Sequence, residues 1–139
     1  MGKINMGRVI LGGLIAGVVI NVGELILNMP ILGQRWNEAL QALNRPSMEP
    51  GLPIFLVLLT FALGVLVVWV YAAIRPRFGA GPLTAISAGL IVWVLASLYP
   101  SAMALPMNLF PRRLLFYAVA WQFFELPLAA LAGAWIYKE

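Results

Sequence analysis

Cysteine, histidine and aspartate are all missing from this chain of 139 residues. Without cysteine there is no disulfide framework, and without cysteine or histidine there is no thiolate or imidazole metal site. Haem and chlorophyll lose their usual histidine ligand, so neither a metal nor a cofactor is expected. The only carboxylate side chains are five glutamates. Charge is scarce altogether: 10% of residues are charged, against about 25% in a soluble domain. Hydrophobic residues make up 63% of the chain, and its mean hydropathy is +0.94. Such a chain aggregates in water and is ordinary in lipid, so its first partner is the bilayer.

The net charge of +4 is no nucleic-acid footprint. Lysines and arginines stand in ones and twos at the ends of apolar segments, where they anchor to headgroups. No basic stripe with interleaved aromatics occurs, and no nucleic-acid partner is expected.

Four apolar runs cover residues 9–32, 52–74, 83–105 and 114–137. Each is longer than the roughly 20 residues that cross a hydrocarbon core. The first follows Lys3 and Arg8, as in a signal peptide. It is too long for that and has no clean small-x-small cleavage site, so it reads as an uncleaved transmembrane helix. Met1-Gly2 resembles a myristoylation start, but Met6 stands where Ser or Thr is needed. Arg75-Pro76-Arg77 closes the second run, Pro111-Arg112-Arg113 introduces the fourth, and Lys138-Glu139 ends it.

Residues 34–44 follow a different pattern. Trp36, Ala39, Leu40 and Leu43 obey the i, i+3, i+4, i+7 rule, and Arg35, Asn37, Glu38 and Gln41 take the other face. This predicts a short amphipathic helix on the membrane surface, stopped at Asn44-Arg45-Pro46. The short loops make neighbouring spans antiparallel. The expected fold is an all-α membrane protein, one domain over residues 1–139: an up-down bundle of four transmembrane helices with an interfacial helix between the first and second. With both termini inside, Lys3, Arg8, Arg75, Arg77 and Lys138 are cytoplasmic and Arg35, Arg45, Arg112 and Arg113 are outside, a small excess in favour of cytoplasmic termini.

Inside the first and fourth runs stand Glu24 and Glu125. An ionisable group at bilayer depth costs about 2.5–3.5 kcal/mol on insertion scales, so each needs a partner. In the first run Gly13, Gly17, Asn21, Glu24 and Asn28 share a face; in the fourth, Ala118, Gln122, Glu125, Ala129 and Gly133 do. Running these helices antiparallel with contact numbers summing to about 146 sets Gly13 on Gly133, Gly17 on Ala129, Asn21 on Glu125, Glu24 on Gln122 and Asn28 on Ala118. Small residues then let the backbones approach, and each glutamate gains a carboxamide. An amide can donate to a carboxylate or accept from a protonated carboxyl. No lysine or arginine lies at that depth, so the neutral acid is the cheaper form to bury. Pro127 and Pro100 free the carbonyls of Phe123 and Ala96, which mark kinks or help to hold a cation.

These polar groups read either as an interhelical latch or as a proton or cation site. Thr60, Ser87, Ser97 and Ser101 can bond to their own helices and carry no specific signal. Trp36, Trp135 and Tyr137 lie near span ends, where an aromatic belt belongs. A serine triad lacks its histidine, a Ser–Lys dyad lacks an intramembrane lysine, and no Gly-rich phosphate loop opens a helix. No catalytic residue and no enzymatic activity are expected.

Pro30-Ile31-Leu32-Gly33-Gln34-Arg35-Trp36 at the exit of the first helix, and Asn108-Leu109-Phe110-Pro111 through Tyr117, Trp121 and Gln122 to Ala132-Gly133-Ala134-Trp135 in the last, resemble a family of small uncharacterised bacterial membrane proteins. The resemblance implies a bacterial inner-membrane location and brings no activity with it. Two functions remain open. One is a structural or accessory subunit of a larger membrane assembly, for which the apolar second span, with Thr60 its main polar group, provides a surface. The other is a small proton-coupled transporter working as a homodimer, in which Glu24 or Glu125 exchanges a proton for a cationic or lipophilic substrate and Asn21, Asn28 and Gln122 line the path.

Overall fold

A computed structural model describes residues 3–46 and 51–137. Met1-Gly2 and the Lys138-Glu139 end lie outside the described residues. Among the latter there is no strand, and the element order is α1 (Met6–Ile26), a π turn (Leu27–Ile31), α2 (Gly33–Ala42), α3 (Leu52–Phe78), α4 (Pro82–Trp93), a second π turn (Val94–Leu98), α5 (Tyr99–Ala104), a 3-10 turn (Leu105–Met107) and α6 (Arg112–Ile136). Four continuous helical stretches are long and apolar enough to cross a membrane: Met6–Ile31, Leu52–Phe78, Pro82–Met107 and Arg112–Ile136. They mark a small multi-pass membrane protein.

Local chemistry sets the ends. Asn5 caps α1, its side chain accepting from the Arg8 N–H. Pro53 and Pro82 sit in the first turns of α3 and α4, where a missing N–H costs nothing. Gly79 and Gly81 take φ of 84° and 154° between α3 and α4, values that favour glycine. Both π turns lie beside a proline. Pro30 falls inside the first, where the Leu32 N–H donates to the Leu27 carbonyl at 2.8 Å. The second precedes Pro100, and there the Tyr99 N–H reaches back to Val94. A proline cannot supply its own N–H, and the widened turn carries the helix past the gap.

The spans form a ring in which α1 meets α3 and α6, while α4 meets α3 and α6. Small residues control how close they come. Gly64 of α3 lies against the backbone of Gly13 and Gly17, and Gly13 in turn faces Val65. Gly133 of α6 lies against Gly12 and Ala16, and Gly89 of α4 lies against the backbone of Leu126 and Pro127. No water-driven force pulls helices together in lipid, so this close backbone contact is a principal source of cohesion. The main core joins Val9, Ala16, Ile20, Val67, Val68, Ala85, Ala88, Leu126 and Ala129.

At the other end the bundle opens. Beyond Thr60 every α3 residue back to Leu52 is exposed. A smaller core fills part of that end, where Leu27, Leu32 and Leu114 receive Ala39 and the half-buried Trp36 of α2. Trp36 meets Phe110 edge-on, ring centroids 5.5 Å apart. Arg35, Asn37, Glu38 and Gln41 on the opposite face of α2 are exposed.

Two sequence expectations change here. Leu43 stays 37% exposed rather than joining the apolar face, because α2 ends at Ala42 and the chain turns through Asn44 at φ 53°. Tyr137 is buried rather than belt-like. Its ring packs on Tyr71 with Arg75 above it, and its hydroxyl accepts from the Asn5 N–H at 3.3 Å. Trp135, at 86% exposure, keeps the outward position.

Candidate functional site

Glu24 lies on α1, one turn before the π turn, seven residues from Ile31. That is about 10 Å in from the end of the span at 1.5 Å per residue. Gln122 of α6 donates to its Oε1 at 2.7 Å, the interhelical contact expected from the sequence. Asn28 donates to its Oε2 at 2.6 Å and to its backbone carbonyl at 2.9 Å. Asn28 belongs to the π turn. Both carboxyl oxygens of Glu24 therefore have an amide donor.

Glu125 is 6% exposed and lies against the backbone of Gly23, which has no side chain to exclude it. The indole N–H of Trp121, one turn earlier on α6, donates to its Oε1 at 3.2 Å. Oε2 is buried and has no donor among the described residues. The Glu125 carboxyl thus lies beside the residue that precedes Glu24 on α1.

The Glu24–Gln122 contact fits the anticipated register, but its companions do not. Gly13 and Gly17 face Val65, Phe61 and Gly64 of α3 rather than Gly133 and Ala129. Gly133 instead meets Gly12 and Ala16, while Ala129 is fully buried in the main core. Asn21 is turned toward α3 rather than Glu125: the Thr60 hydroxyl lies 2.7 Å from its Oδ1, and its own amide donates to the Gly17 carbonyl at 2.8 Å. Asn28 is held by Glu24, not by Ala118. The physical reason is that α1 is gripped from two sides. Successive residues are about 100° apart on a helix, so Gly12, Ala16 and Gly23 form a second small face beside Gly13 and Gly17. The Gly12, Ala16 and Gly23 face serves α6, and the Gly13 and Gly17 face serves α3.

Sequence reasoning also missed Trp121 and the contact of Thr60 with Asn21. Trp121 stands four residues before Glu125, a spacing that brings side chains together on a helix. Thr60 hydrogen-bonds within its own helix, to Val57 at 2.8 Å, and also reaches Asn21, its single proton serving one at a time.

Each glutamate lines a different cavity. A space of about 770 Å³ between the end of α1, α2 and the start of α3 has Glu24 and Asn28 in its wall, with Trp36, Leu40, Arg45 and Leu56. On the other side, a groove of about 510 Å³ along the outer flank of α1 and α6 has Glu125 in its wall. Among the described residues no cluster of three or more metal-ligating side chains occurs.

No protein-family model matches the chain, no curated protein does, and no solved structure does.

Proposed function

We propose that the protein carries protons across a membrane in exchange for a lipophilic or cationic substrate, with Glu24 and Glu125 as the proton-binding pair. One observation carries this reading: Glu24 and Glu125, at adjoining positions on α1 and α6, each line a separate cavity. A group that only fastens helices needs no access to either space. On this reading a proton passes between the two glutamates, from one cavity to the other. Gln122 and Asn28 hold the Glu24 oxygens in place, and Trp121 fixes one oxygen of Glu125.

In this reading the spans form an up-down bundle in a bacterial inner membrane, with both termini on the cytoplasmic face and α2 lying at the opposite surface. Opposed contact order along α1 and α6 supports the up-down order, and the division of α2 into a packed and an exposed face supports its surface position. The accessory-subunit alternative draws on apolar surface, which lipid covers equally well.

The test is proton movement in liposomes that hold the full chain and a trapped pH indicator. Lipophilic cations are added on one side under a pH gradient. Saturable proton flux above that of empty liposomes, absent in Glu24→Gln and in Glu125→Gln, is the expected result. Fluxes equal to empty liposomes for the wild type, or unchanged in both variants, would remove the reading.

A further inference from the structure

Where α2 meets the start of α6, a cavity of about 730 Å³ has unbalanced charge in its walls. Arg35 of α2 and Arg112 and Arg113 of α6 line it, and among the described residues Glu38 is its one carboxylate. Glu38 accepts from the Gln34 amide at 3.1 Å, while the Arg35 guanidinium lies over the Tyr117 ring, 5.2 Å from its centroid. The Arg112 and Arg113 side chains have no partner among the described residues. All three arginines are exposed, so their guanidinium groups are open to a ligand. Arg112 is the first residue of the last span, which sets the cluster at headgroup level.

From this cluster an apolar track runs down α6. Arg113, Tyr117, Trp121, Phe124 and Leu128 follow at steps of 4, 4, 3 and 4, which keeps them on one face. Tyr117 borders the arginine cavity. Trp121, Phe124 and Leu128 form one side of the groove of about 510 Å³, and Val18, Val22 and Ile26 of α1 form the other. Tyr117 is 45% exposed, Phe124 73% and Leu128 60%, so this face looks away from the bundle, toward lipid in a membrane. The groove is apolar apart from Glu125, whose carboxyl is turned onto Gly23 and Trp121. Arg113 and Phe124 are 11 residues apart, about 16 Å along the helix and close to half of a roughly 30 Å hydrocarbon core.

We propose that cavity and groove together form one site for an anionic phospholipid, its phosphate held among Arg35, Arg112 and Arg113 and one acyl chain laid between α1 and α6. The inference goes beyond the proton-coupled reading and does not rest on it. Guanidinium forks match phosphate oxygens two at a time, and a basic pocket between membrane helices suits a lipid head. Charge selects among heads: three guanidinium groups against one carboxylate leave a positive excess that a zwitterionic head meets only in part, because its own cation opposes it. The groove selects among anions, since a free phosphate would fill the cavity and leave the groove empty. Arg35 comes from α2 and the other two from α6, so the bound head ties these helices together beside the contact of Trp36 with Phe110. A lipophilic substrate using this groove would compete with the acyl chain.

The experiment is tryptophan quenching of the purified full chain in uncharged detergent micelles, by phosphatidylglycerol and phosphatidylcholine with identical brominated chains. Trp121, in the groove, is the reporter. Phosphatidylglycerol is expected to quench saturably at a concentration at least about tenfold below that of phosphatidylcholine. Replacing both Arg112→Gln and Arg113→Gln should weaken phosphatidylglycerol at least about tenfold and leave phosphatidylcholine unchanged. The control pair, Arg8→Gln with Arg77→Gln, removes the same charge from exposed positions at the opposite end of the bundle and should match wild type. Trp121→Phe should abolish most of the saturable quenching. Equal quenching by the two lipids, or equal losses in the two double variants, would mean unselective lipid contact and overturn the proposal. Quenching undiminished in Trp121→Phe would put the chain outside the groove and overturn it as well. Displacement of phosphatidylglycerol by inorganic phosphate would give the arginines to a soluble anion instead of a lipid, and absence of saturable quenching would remove the site altogether.

Discussion

Gly64→Ala tests how the bundle is held. A Cβ at this position would lie 2.5 Å from the Gly13 carbonyl oxygen and 2.8 Å from the Gly17 Cα. Both are backbone atoms, which cannot swing aside as a side chain can. Ordinary contact begins near 3.4 Å, so α1 and α3 must separate by about 0.9 Å. A gap of that size forfeits roughly a quarter to a half of each dispersion contact along the seam. The same displacement would stretch the 2.7 Å Thr60–Asn21 contact toward about 3.6 Å, past hydrogen-bonding range. Overpacking of this kind typically costs 1–3 kcal/mol, and about 2 kcal/mol is expected here. The assay is reversible unfolding in mixed micelles followed by tryptophan fluorescence and far-ultraviolet circular dichroism. Gly7→Ala is the control, since a Cβ there meets only Asn5 Oδ1 at 3.5 Å, and it should stay within about 0.5 kcal/mol of wild type. If Gly64→Ala matched Gly7→Ala, close backbone approach would not be what joins α1 to α3.

Gly89→Ala should also destabilise by about 1–3 kcal/mol in the same assay, because its Cβ would meet the backbone of Leu126 and Pro127. Thr60→Val removes the hydroxyl beside Asn21 and should cost only about 0.6 kcal/mol, the average for a hydrogen bond between membrane helices. Gln122→Leu takes the donor from Glu24 Oε1, and a loss of about 1 kcal/mol is expected, since water in the cavity under α2 can replace it. A larger loss for Thr60→Val than for Gly89→Ala would reverse the ranking of packing over hydrogen bonding.

The four apolar helices were legible because their signal is one of composition and length, which needs no tertiary information. The contact of Glu24 with Gln122 was legible for a related reason: few polar groups lie at that depth, and they have few possible partners. The assignment of faces was not. Gly12, Gly13, Ala16, Gly17 and Gly23 offer small residues over much of the circumference of α1, and spacing alone does not say which face meets α3 and which meets α6. Asn21 was drawn to Glu125 on paper because carboxamides suit carboxyls, whereas a threonine on α3 lies on the face it occupies. The π turns escaped notice because they arise from how the chain carries a helix past Pro30 and Pro100, and proline itself signals only an interruption. The approach of Glu125 to α1 needed the third dimension: it depends on Gly23 leaving room for its carboxyl.

The central claim is that Glu24 and Glu125 act together in proton exchange. Infrared difference spectroscopy on protein labelled at glutamate with carbon-13, comparing wild type with Glu24→Gln and Glu125→Gln, reads it directly. A buried carboxyl signal that responds to pH in the wild type, and that shifts when either partner is replaced, is the predicted spectrum. Bands that ignore pH, or that ignore replacement of the partner, would contradict it.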